Sequence, residues 1–233
     1  MDLRDTPEDK PVDSSRLHHD ARLFALVEDE FRFGEHQQTL HRSYLKHLGA
    51  VAVLPVDEQD RVLLIRQYRH PVRMHLWEVP AGLLDVDGEP MLETAQRELL
   101  EEADLRAETW HTLVDFYSSP GASSEGIRVY LAEGLSDVPE EDLHTRDGEE
   151  AEIVPTWVPL DEAVAAVLSG QIHNPSAVVG LLALHAVRTG GGQLRDARAP
   201  WRISPAASHP DGEQRKAPGA CKQRRHRGVH YLL

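Results

Sequence analysis

Glu98, Glu101 and Glu102 stand at i, i+3 and i+4 in the run R-E-L-L-E-E, residues 97–102. On an α-helix that spacing gathers three carboxylates within one turn. Like charges so placed repel by roughly 0.2–0.5 kcal/mol per pair, and a plain surface gains nothing in return. A hard divalent cation does make use of them. Mg2+ takes oxygen ligands, commonly one or two carboxylates, with water and substrate phosphate completing its shell. A solvated acidic helix face would satisfy the same spacing, so the surrounding residues decide. Arg97 projects about 100° away from Glu98 around the helix, which suits it to brace a loop acid such as Glu89.

The elements that must position these acids follow from periodicity. Leu92, Ala95, Leu99, Leu100 and Ala103 recur at helical spacing, so Pro90–Ala103 is expected to be a helix. Pro90 suits its first position, and Glu89 and Glu93 suit its N-terminus. Ahead of it, Pro80-Ala81-Gly82 reads as a turn. Gly49–Val56 reads as a buried strand, with residues 57–60 turning the chain so that Arg61–Tyr68 returns as its partner. Arg66, Arg69, His70 and Arg73 then cluster before the acidic helix. A guanidinium pairs bidentately with phosphate, which marks Arg69 as a candidate.

Further strands are expected at Thr109–Tyr117, Ile127–Ala132 and Thr156–Pro159, with a loop at Ser118–Glu125 and a long acidic stretch at Val138–Glu152. Two helices follow, Leu160–Ser169 and Ser176–Arg188. Asn174-Pro175 caps the second, and three glycines from Gly190 end it. Residues 17–48 read as a small antiparallel β unit turning at Gly34-Glu35. Residues 1–16 are expected to be flexible. Residues 190–233 are expected to form a basic, disordered extension, dispensable beyond Gly192.

Composition narrows the possibilities. The formal net charge is −14, although residues 190–233 hold nine of the 25 Lys and Arg and only three of the 39 Asp and Glu. That balance argues against general nucleic-acid binding and means that an anionic substrate needs cations to enter. The single Cys221 rules out an intrachain disulfide and a thiolate zinc cage, and fits a reducing cytoplasm. The histidines show no zinc-like grouping. The polar N-terminus reads as carrying no signal peptide, and no apolar run is long enough to span a membrane.

Taken together, Gly82, Glu89, Arg97, Glu98, Leu99, Glu101, Glu102 and Leu105 resemble the Nudix box, G-x5-E-x7-R-E-U-x-E-E-x-G-U, where U is a bulky aliphatic residue. The Gly82-to-Glu89 gap is one residue longer than usual, a change a loop absorbs at little cost. Asp104 replaces the late glycine, and Asp tolerates left-handed geometry. The stretch Y-R-H-P-V-R-M-H-L-W-E-V-P-A-G-L-L-D is similar to the region before the box in bacterial ADP-ribose pyrophosphatases, and Pro120 fits their proline past the box. The likeness covers about residues 17–189.

The resemblance implies an α/β fold: an α/β/α sandwich with a mixed sheet over residues 49–189, preceded by the antiparallel unit at 17–48, which exchanges between the subunits of a homodimer. It implies hydrolysis of ADP-ribose to AMP and ribose 5-phosphate with Mg2+, or Mn2+ in its place. Glu98 and Glu102 become metal ligands, joined by Glu101 and the carbonyl of Ala81. Arg69 and Glu78 become substrate contacts. Gly82, Glu89, Arg97 and Pro120 are structural members of the motif. The base is a glutamate from the loop before the last strand, with Glu150 favoured over Glu149 and Glu152. Another nucleoside-diphosphate sugar, a dinucleotide, or a sensor that binds ADP-ribose without cleaving it would use the same box. A small nucleoside diphosphate is thus the expected partner, with no nucleic acid and no membrane.

Overall fold

The computed structural model describes residues 2–21, 23–144 and 153–201. The chain divides into two compact units, and residues 1–49 with 117–126 belong to the first.

Three antiparallel strands, β1 (Val12–Asp20), β2 (Phe24–Phe33) and β3 (Gln38–His47), build the first unit's sheet in that order. The β2–β3 hairpin turns at residues 34–37, where Gly34 and Gln37 take positive φ. Alternation on β2 buries Ala25 and Val27. The strand β1 starts at Val12, so Val12–Arg16 are not the flexible segment expected there. Every residue of β1 is exposed. Its order comes from backbone pairing with β2, such as Leu17 opposite Val27, which hydrophobic periodicity does not register.

The second unit contains β4 (Ala50–Pro55), β5 (Arg61–Arg69), β6 (Met74–Glu78), β7 (Ala81–Leu83), α1 (Met91–Ala103), β8 (Leu105–Tyr117), β9 (Gly126–Asp137), β10 (Thr156–Pro159), α2 (Leu160–Leu168), α3 (Pro175–Arg188) and β11 (Arg195–Asp196). Five strands form a mixed sheet in the order β11-β8-β9-β4-β7, and three more form a sheet in the order β10-β5-β6. The expected β4–β5 pairing does not occur. β4 is buried on both faces and lies between β9, parallel, and β7, antiparallel. β5 pairs with β6 and β10, and a single bridge, Val56–Val62, links the two sheets. A strand wholly out of water needs neighbours on both edges, and one hairpin partner supplies only one.

β4 also divides the core. Ala50, Ala52 and Leu54 pack with Leu160, Leu181 and Leu184 from α2 and α3. Val51 and Val53 pack with Ala95 and Leu99 from α1. This is the sheet between two helical layers that an α/β sandwich requires. Burying a leucine such as Leu99 contributes about 1.5–3 kcal/mol, so α1 is held from its apolar side. Its ends are defined locally. Pro90 sits just before the first helical residue rather than within it. Asp104 takes φ 56° and ψ 34°, and its N–H donates to Leu100 O at 3.1 Å. On α3 the Asn174 side chain accepts from Ala177 N at 3.0 Å.

The segment after Gly192 is partly built into this unit, contrary to the expected dispensable extension. β11 pairs with β8, Thr112 Oγ1 donates to Asp196 O at 3.0 Å, and Arg128 Nη1 donates to Ala199 O at 2.7 Å. The segment takes part in both side-chain bonds through backbone oxygens, so its own residue types give no sign of them. Residues 202–233 lie outside the described part. Among the described residues no helix is long and apolar enough to cross a membrane.

Candidate active site

The site is built where α1 faces β7. Leu92, Ala95 and Leu99 fix one face of the helix in the core. That rotation carries Glu98 and Glu102, one turn apart, to positions only 7% and 3% exposed. β7 is a strand, not the expected turn, because β4 pairs with it: Val51 lies opposite Gly82 and Ala52 opposite Ala81. Two close approaches join strand and helix. Ala81 N–H donates to Glu102 Oε2 at 2.9 Å. A Cβ at Gly82 would lie 2.1 Å from Glu98 Cδ and Oε1, so no side chain fits at 82 while Glu98 keeps its place. Glycine is needed here for close approach.

Arg97 forms a node beside this pair. Its guanidinium reaches Glu89 at 3.1 and 3.3 Å, Glu98 Oε1 at 2.6 Å and Glu101 Oε2 at 3.4 Å. Thr94 Oγ1 donates to Glu89 at 2.8 Å from the same helix. Arg97 therefore braces Glu89 and also reaches Glu98, although its Cα–Cβ direction points elsewhere on the helix. A long, flexible side chain covers that angle. Burial alone would lower the Arg97 pKa, but the hydrogen bond to Glu89 and the charges of Glu98, Glu89 and Glu101 outweigh it and raise it. Glu89 is held below its ordinary value chiefly by its hydrogen bond with Arg97, with burial opposing.

Arg69 and Glu78, both expected as substrate contacts, bind each other. Arg69 Nε donates to Glu78 Oε1 at 2.7 Å and Nη2 to Oε2 at 2.5 Å. Glu78 is 2% exposed, so this is a two-pronged pair that runs diagonally across the β5–β6 hairpin. Pro120 occupies the exposed loop between β8 and β9. Glu149, Glu150 and Glu152 lie outside the described residues.

The acids do not form a closed cage. Among the described residues no group of three His, Cys, Asp or Glu is arranged to hold a metal ion. Glu101 Oε2 meets the same Arg97 Nη1 that donates to Glu98. A cation that keeps most of its water and shares substrate phosphate needs only one or two carboxylates. Glu98 and Glu102 provide those as hard oxygen donors, Glu98 against a glycine whose missing Cβ leaves room for its carboxylate. The donor set thus fits a divalent cation of the Mg2+ type. One polar residue of this unit, Gln67, carries no motif signal and becomes visible only through its burial.

Comparison with known proteins agrees with this geometry. The NUDIX domain family model matches residues 46–177. An ADP-ribose pyrophosphatase of Mycobacterium tuberculosis is 44% identical over 83% of this chain and 92% of its own length. An ADP-ribose pyrophosphatase of Bacillus subtilis is 38% identical over 57% of this chain and 70% of its own. A solved structure described as an ADP compounds hydrolase superposes with a TM-score of 0.65 at 19% identity, covering 81% of this chain and all of that one, which speaks to the fold alone. With its box glutamates set against a box glycine on the neighbouring strand and its sequence matched across most of its length, this chain belongs to the Nudix family.

Proposed function

We propose that the chain hydrolyses ADP-ribose to AMP and ribose 5-phosphate, with Mg2+ as the cation and Mn2+ able to substitute. The likeness to the mycobacterial ADP-ribose pyrophosphatase over 92% of that protein's length carries the choice of substrate. Nudix hydrolases generally use divalent metal ions. When bound, the cation supplies Lewis acidity and neutralises diphosphate charge.

The chain's own groups account for the rest. Glu98 and Glu102 would hold the cation, and the carbonyl of Ala81, the residue whose N–H donates to Glu102, would complete the protein's share. Arg97 keeps Glu98 in place. The Arg69 guanidinium has five N–H donors, so it can stay on Glu78 through Nε while an Nη group turns to the diphosphate. Glu150 takes the proton of the attacking water. The water oxygen bonds to one phosphorus as the bridging P–O bond breaks, and the two monophosphates leave.

The reaction is placed in the cytoplasm, consistent with a single cysteine. A homodimer through the β1–β3 sheet is supported by Leu17 and Phe33, large apolar side chains more than half exposed on it. A monomer in analytical ultracentrifugation at micromolar concentration would remove that part. The activity itself is tested by a substrate panel with product identification. ADP-ribose should give the highest kcat/KM among nucleoside-diphosphate sugars and dinucleotides. A better substrate in the panel overturns the choice, and tight binding without products points to a sensor.

A further inference from the structure

Gln67 is 4% exposed, and neither its Nε2 nor its Oε1 has a hydrogen-bond partner among the described residues. An amide buried this way gives up the bonds it made to water in the unfolded chain and gets none back. Methionine has similar size and no amide, and would fill the position without that cost.

The strand register shows what lies around the amide. Alternation along β5 puts Gln67 on the face that carries Arg69. Directly opposite residues share a face, so Leu76, opposite Gln67, and Glu78, opposite Ile65, are on it as well. The Arg69–Glu78 ion pair therefore runs diagonally between the strands and spans the Gln67–Leu76 pair. In the free chain this bridge lies across the amide.

We infer that Gln67 is a phosphate-binding residue held in reserve beneath the Arg69–Glu78 bridge. This rests on the reading that Arg69 turns an Nη group to the substrate diphosphate. That turn releases the Nη2 prong of the bridge and leaves the Nε prong on Glu78. Gln67 Nε2–H then donates to a phosphate oxygen, and Oε1 accepts from the Arg69 guanidinium and orients it. Both polar atoms acquire partners only with ligand present, which accounts for an amide where the free chain would prefer an apolar side chain.

Gln67→Met separates this role from packing, because binding and stability should move in opposite directions. The melting temperature should rise above that of the wild type. Affinity for inorganic pyrophosphate with Mg2+, measured by calorimetry, should fall about tenfold, the loss of one charge-assisted hydrogen bond, and KM for ADP-ribose should rise by a similar factor. Gln67→Asn, which keeps the amide but withdraws it by one methylene, should lose the same affinity without gaining stability. Unchanged pyrophosphate affinity in both variants overturns the inference, whatever happens to the melting temperature, and so does a wild-type chain that binds no pyrophosphate. If the wild type binds pyrophosphate but cleaves a diphosphate other than ADP-ribose, the substrate reading fails while the Gln67 comparison still decides this one.

Discussion

Arg128 and Arg97 each gather carboxylates around a guanidinium, and the two clusters balance their charge differently. Arg128, on β9, is 3% exposed. It forks onto Asp115 at 2.7 and 3.0 Å, and Arg195 joins the same carboxylate at 2.8 Å. Its Nη1 also donates to Ala199 O, so the cluster ties β8, β9 and the segment after α3 together. Two positive charges there meet one negative, Arg128 buried and Arg195 exposed at the rim. At Arg97, one guanidinium is shared by Glu89, Glu98 and Glu101, and its side chain is 32% exposed. Those four side chains sum to a net negative charge, and Glu102 lies one turn from Glu98. The first arrangement suits a structural tie. The second leaves negative charge that a bound cation would neutralise.

The largest effect should come from Glu98→Gln. The amide keeps the size of the side chain and removes its charge. Hydrolysis of ADP-ribose with Mg2+ should fall at least about a hundredfold, the loss of roughly 3 kcal/mol of transition-state stabilisation. Melting temperature should change little, because the core face of α1 is untouched. Unchanged turnover would remove Glu98 from the metal site.

Arg128→Met should show the opposite split. Removing one partner of a buried pair destabilises by about 3 kcal/mol, roughly a 6–12 °C loss of melting temperature for a chain of this size. The kcat/KM of the folded fraction should stay within about twofold of the wild type. A large drop in kcat/KM at full folding would mean that the two clusters are not separate in function.

This division also explains what could be read from residue order. The carboxylates at 98, 101 and 102, the left-handed position of Asp104 and the Asn174 cap were legible, because each depends on residue type at short range. Helix spacing alone brings Glu98 and Glu102 together. The separation of β4 and β5 into different sheets was not legible, because their apolar runs are alike and only long-range pairing distinguishes them. Val12–Arg16 of β1, and β11, leave no such sign for a related reason: backbone hydrogen bonds order them, with little buried apolar surface to make a pattern. The need for glycine at 82 emerges only once Glu98 is seen lying against it. Arg69 and Glu78 were picked out as substrate contacts, but nothing in their spacing showed that they close on each other over Gln67.

The smallest effect expected is on acid stability, and it bears directly on the charge imbalance at Arg97. The Glu89 pKa is depressed, mainly by its hydrogen bond with Arg97. A carboxylate with a depressed folded-state pKa adds stability in full above the ordinary value of 4.5, and that stability is lost as pH falls through the lower folded value. Glu89→Gln should therefore cost stability at neutral pH, on the order of 1 kcal/mol given the partial exposure of Arg97. The difference from wild type should shrink toward zero as pH drops below the ordinary carboxylate range. Chemical denaturation at neutral and acidic pH reads this directly. A difference that stays constant with pH would mean that Glu89 stabilises by packing rather than by its charge, and that Arg97 is shared by fewer carboxylates than its geometry indicates.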